Sequence, residues 1–130
     1  MNIARLLTTV ACVVVLMGSS WSFAGEGKGS MAIKQMAKIM HRLKHYPSPQ
    51  GKTELQALAS ASATTANERT IAAAMINLEH KVASKDVAPL QAIISGKTST
   101  QAERNLAGII LNLDHRPSNE DKATLKEMMD

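Results

Sequence analysis

The sequence predicts an all-α protein of three tandem helix-turn-helix repeats, stacked as a short right-handed solenoid or gathered into a six-helix bundle. Three observations carry this. His45, His80 and His115 stand 35 residues apart, each two residues after Leu43, Leu78 or Leu113 and ten before Leu55, Leu90 or Leu125. The segment before each histidine carries apolar residues at i, i+3, i+4 and i+7, which puts them on one face of a helix. Helix-start residues recur at the same places in successive repeats.

In chain order, residues 1–24 have the make-up of a secretory signal. Arg5 is followed by an apolar run from Leu6 to Met17, and Ser22 and Ala24 suit the −3 and −1 positions of a cleavage site after Ala24. The run is shorter than the about 20 residues a spanning helix needs. Cys12, the single cysteine, lies within it, so the processed chain is expected to have no thiol, disulfide or Cys-based metal site. Lipidation at Cys12 is disfavoured by Thr9, which stands where such signals want an aliphatic residue. Loss of Arg5 lowers the formal charge from +4 to +3, and Tyr46 becomes the only aromatic residue. Residues 25–29 read as a flexible leader and 30–130 as one small domain with repeats at 30–60, 65–95 and 100–130.

The first helix of each repeat places Met36, Ile39, Met40 and Leu43 in register with Ile71, Ala74, Met75 and Leu78, and with Leu106, Ile109, Ile110 and Leu113. Thr65 with Glu68 and Thr100 with Glu103 form capping boxes, in which the hydroxyl accepts from a free N–H and the carboxylate reaches back to the cap residue. Ser30 holds the same place in repeat one. The second helices align Leu55, Leu58 and Ala59 with Leu90, Ile93 and Ile94, and with Leu125, Met128 and Met129. Ser48-Pro49 is an N-cap with proline at the first helical position, and Ser118 with Asp121 is a third capping box. Repeat two has Ala83 at the cap and Pro89 inside, so its second helix is expected to start late or bend.

Caps and loop lengths give a first helix of about fifteen residues, a turn of about three and a second helix of about eleven. Helices this short are marginal alone and need hairpin-on-hairpin packing. Repeat one has Lys38 and His41 where the others have Ala73 and Ile76, or Gly108 and Leu111, the polar face expected of a terminal unit. In period and two-helix plan the chain resembles the tetratricopeptide repeat class over residues 30–130. That class's Trp, Tyr and Phe signature positions have no counterparts here, so the resemblance implies architecture and transfers no functional residue.

The repeated histidines are the first chemical candidates. Placed at the end of each first helix, they would form one edge of a stack, where imidazoles suit copper or zinc. As residues of a last helical turn they equally suit the carbonyl end of the helix dipole. His41 and His45, at i and i+4, would share a helical face and so grip one ion. Met36 and Met40 align with apolar residues and belong to the core. Glu79 and Asp114, each next to a histidine along a helix, would not face it.

Lys34, Lys38, Arg42 and Lys44 make the outer side of repeat one basic, a surface for an acidic protein, a polyanion or an anionic lipid, or simply a solvated face. There is no Arg-rich stripe or aromatic platform for nucleic acid. There is no Gly-x-Ser-x-Gly elbow, phosphate loop or His-Glu-x-x-His motif. The leading expectation is a periplasmic or secreted, non-catalytic protein-interaction module with an unidentified protein partner and no cofactor. The alternative is a periplasmic copper- or zinc-binding protein using His41, His45, His80 and His115.

Overall fold

The computed structural model describes residues 29–130. The signal segment and nearly all of the leader therefore lie outside the described residues. Six helices follow one another, α1 (Met31–His41), α2 (Pro49–Ser60), α3 (Ala66–Ile76), α4 (Ser84–Ser95), α5 (Gln101–Leu111) and α6 (Asn119–Met129). None is long and apolar enough to cross a membrane.

The caps are made as their residue types require. Ser30 Oγ accepts from Ile33 N, Ser48 Oγ from Gly51 N with Pro49 behind it, and Thr65, Thr100 and Ser118 complete reciprocal capping boxes. Ala83 has no oxygen to offer and makes no cap bond. Even so, α4 begins at Ser84, in register with Pro49 and Asn119, so the late start expected for this helix does not occur. Pro89 lies inside α4 on its exposed side.

The first helices form an inner layer, α1, α3 and α5 each touching the other two. Each second helix wedges between the first helix of its own repeat and that of the next, packing more extensively on the next: α2 on α3, α4 on α5 and α6 on α1. The α6–α1 contact matches the other two in extent. The repeats therefore close into a six-helix bundle with approximate threefold symmetry rather than an open solenoid.

The core confirms the periodicity. Met36, Met40, Ile71, Met75, Leu106 and Ile110 are fully buried between the inner helices, and Leu55, Leu90 and Leu125 are the matching contributions of the outer ones. Burying an aliphatic side chain of this size contributes about 1.5–3 kcal/mol.

At the N-terminal end of the inner layer, cap residues link the repeats. Ser30 Oγ donates to Glu68 Oε1 and Thr65 Oγ1 to Glu103 Oε1. Both carboxylates are buried, and their remaining oxygens accept from Thr65 N at 2.8 Å, Thr100 N at 2.9 Å and Asn67 Nδ2 at 3.0 Å. Buried carboxylates are costly unless hydrogen-bonded, and here the caps of two repeats satisfy each one. The third place in this ring is held by buried Ile33.

The first helices are shorter than their apolar stripes suggest. They end at His41, Ile76 and Leu111, and Arg42, Asn77 and Asn112 are the C-caps. Leu43, Leu78 and Leu113 are still buried, but they reach the core from irregular segments that run through buried Pro47, half-buried Val82 and buried Pro117 to the second helices.

Candidate metal centre

The histidines sit in these connecting segments and not in a last helical turn, so the dipole argument for them does not apply. The backbone instead joins them into a ladder. His80 N–H donates to His45 C=O at 2.9 Å, and His115 N–H donates to His80 C=O at 2.7 Å. One segment from every repeat thus meets at the end of the bundle opposite the linked caps.

His80 and His115 both have φ of 67°, the only positive values among described non-glycine residues. Around each, the chain reverses within three residues, with Lys81 N–H donating to Glu79 C=O at 2.7 Å and Arg116 N–H to Asp114 C=O at 2.8 Å. A γ-turn of positive φ is the rare, strained form, and a non-glycine residue held there costs about 1–3 kcal/mol. Glycine would relieve this strain. His45 occupies the equivalent place without a positive φ. Histidine therefore recurs whether or not the backbone is left-handed, so backbone conformation alone does not account for its presence.

The three rings pack edge to face, with centroids 5.0 Å apart for His45 and His80, 4.9 Å for His80 and His115, and 5.6 Å for His45 and His115. One ring nitrogen from each lies within 4.8 Å of the other two, and all three residues are exposed. Zinc–imidazole bonds of about 2.0–2.1 Å in tetrahedral geometry put donor nitrogens about 3.3 Å apart. From a triangle with sides at the 4.8 Å limit, each nitrogen would move inward by about 0.8 Å to meet that requirement. Small side-chain torsions in an exposed cluster can supply such a shift. The side facing solvent stays open for a fourth ligand.

Asp114 supports one of the rings. Its Oδ1 lies 2.8 Å from His115 Nδ1 and 3.7 Å from Lys81 Nζ. The hydrogen bond with His115, assisted by the charge of Lys81, holds the Asp114 carboxyl below the usual carboxylate range. An ionised carboxylate only accepts, so Nδ1 carries the proton and Nε2 keeps its lone pair for a metal, the arrangement that commonly orients ligating histidines. The expectation that Asp114 and His115 do not face one another is thus corrected. It assumed a helical backbone that has already ended.

His41 closes α1 and lies outside the cluster, and the end of the helix at Arg42 removes the shared face with His45 that their spacing suggested. Lys34, Lys38, Arg42 and Lys44 all line one groove beside α1, together with Tyr46 and Met31, which sequence reasoning did not single out. In comparisons with known proteins, the chain matches no family model, no curated protein and no solved structure.

Proposed function

We propose that this protein binds one divalent transition-metal ion, copper or zinc, through His45, His80 and His115. The observation that carries this reading is the convergence of one imidazole from each repeat onto a single point, at places where two of the three sit in strained turns. Neutral imidazole suits zinc and copper, and three such ligands with an open fourth position form a stable but exchangeable set. The site is at the surface and lacks the water-excluding pocket that catalysis favours, so the role proposed is capture or carriage of the ion. An exported location, periplasmic or secreted, belongs to the same proposal and is supported by the signal-like composition of residues 1–24.

Native mass spectrometry after addition of zinc or copper tests it. One ion is expected per chain, retained by a His41→Ala variant and lost in His80→Ala and in His115→Ala. Equal uptake by wild type and the His80→Ala, His115→Ala double variant would refute the site. The broader reading of a protein-interaction module is favoured by a different observation, the basic groove of repeat one.

A further inference from the structure

We infer that the groove between α1, the 42–48 segment, the start of α2 and the end of α6 is a docking site for an acidic, partly apolar segment of a partner protein. His45, a proposed metal ligand, also lines this groove, but the observations below do not involve the metal. The groove encloses about 1050 Å3, whereas the corresponding hollow of repeat three encloses about 470 Å3. Lys34, Lys38, Arg42 and Lys44 line it, against Glu54 as its one acidic residue. Glu54 is occupied by the side-chain amides of Gln50 at 3.1 Å and Gln35 at 3.4 Å. None of the four cations forms an ion pair among the described residues, where the ion pairs present are those of Asp114.

The repeats provide an internal comparison. Lys34 corresponds to Arg69 and Arg104, which donate to backbone carbonyls of the preceding connector at 2.9 Å and 3.0 Å, and Lys34 Nζ similarly donates to Asp130 C=O at 3.1 Å. That position is structural in all three repeats. The others are not: Lys38 corresponds to Ala73 and Gly108, Arg42 to Asn77 and Asn112, and Lys44 to Glu79 and Asp114. The same helix and C-cap are built with neutral residues at the places of Lys38 and Arg42, so folding does not require those two cations, whereas Lys44 precedes a turn that differs from those after Glu79 and Asp114. A polar face for a terminal repeat does not explain them either, because α6 closes the ring on α1 and no repeat is terminal.

The groove also has an apolar side. Ile39, Leu43, Pro47 and Met129 contribute to its wall. Met31 and Tyr46, at 81% and 60% exposure, stand at its lining and are two of the three large hydrophobic residues exposed in the described chain. A concave hollow of this size accepts side chains. Charge complementarity then calls for carboxylates interspersed with apolar side chains, in an extended or single-turn segment.

The test uses a random-peptide phage library selected on the wild-type protein, with the best clone synthesised and labelled for fluorescence anisotropy. The principal variant carries Lys38→Ala, Arg42→Asn and Lys44→Glu, residues that repeat two already accommodates. A charge-loss control carries Lys85→Gln, Lys97→Gln and Lys122→Gln on other surfaces. Selected peptides are expected to be rich in Asp and Glu with an apolar residue. Binding should weaken at least tenfold in the principal variant, several-fold in Tyr46→Ala, and steeply with added salt, while the control variant binds within about threefold of wild type, the size of effect expected from rim charges. It should persist in the His80→Ala, His115→Ala variant with chelator present, which separates this proposal from the metal site. Selection of peptides without acidic enrichment, an equal loss in the control variant, or displacement of the peptide by phosphatidylglycerol vesicles that bind through the same lysines would overturn it.

Discussion

Replacement of single histidines by glycine in metal-free protein separates the strain of the site from its chemistry. The three residues are all exposed, and their rings make similar edge-to-face contacts. Lost ring contacts therefore largely cancel when two sites are compared. Glycine in place of any of them enlarges the conformational freedom of the unfolded chain, a cost of about 0.4–1 kcal/mol common to each. What differs is the backbone: His80 is held at φ 67° within a γ-turn, and His45 is not. Glycine at position 80 removes a penalty of about 1–3 kcal/mol. His80→Gly should therefore leave the protein about 2 kcal/mol more stable than His45→Gly does. The gap of about 2 kcal/mol between them corresponds to roughly 10 °C in Tm for a domain of this size. Urea unfolding followed by circular dichroism, with a chelator present, measures both. Equal losses at the two positions, or a larger loss at position 80, would refute the claim that the backbone there is strained for the sake of the ring. Both variants should also lose metal binding, so relief of strain at position 80 would not restore function.

Ring closure makes the three outer leucines equivalent. Leu55→Ala, Leu90→Ala and Leu125→Ala should each cost about 2–5 kcal/mol, and a markedly smaller loss at Leu125 in denaturant titration would speak for a frayed, open end. Thr65→Ala should cost more than Thr100→Ala, itself about 1 kcal/mol, because Thr65 Oγ1 also donates to buried Glu103; calorimetry of the two variants decides the order. A carbon-detected NMR titration of the Asp114 carboxyl should give a midpoint below the usual carboxylate range. Since the folded-state pKa is depressed, its stabilising effect is fully present above the unfolded-state pKa and is lost as pH falls through the folded one. Asp114→Asn should weaken metal binding about tenfold, the lower end of the usual effect of such supporting groups.

Much of the fold was legible because a 35-residue period exposes equivalent positions, and caps such as Thr65 with Glu68 are local chemistry. Closure was not legible, since α6 on α1 involves the same apolar stripe that an open stack would leave half covered. The helix ends were not legible for a specific reason. Leu43, Leu78 and Leu113 continue the i+7 spacing and are buried, yet the chain reaches the core there by an irregular path. Asn77 and Asn112 are the signal that could have marked the stop, asparagine being favoured where helices end. A helix continued to those leucines would carry His45, His80 and His115 in its last turn and keep Asp114 from facing His115. The recurrence of histidine identified the three residues that converge, but spacing alone also drew in His41, which the early end of α1 leaves outside the group.

Long-range proton–nitrogen NMR of the imidazoles during titration with zinc tests the three-histidine site nitrogen by nitrogen. The rings of His45, His80 and His115 are expected to respond together and to saturate at one ion per chain, with Nε2 of His115 as its ligating nitrogen and His41 unmoved. A response confined to one or two of these rings, or one that includes His41 in their place, would contradict it.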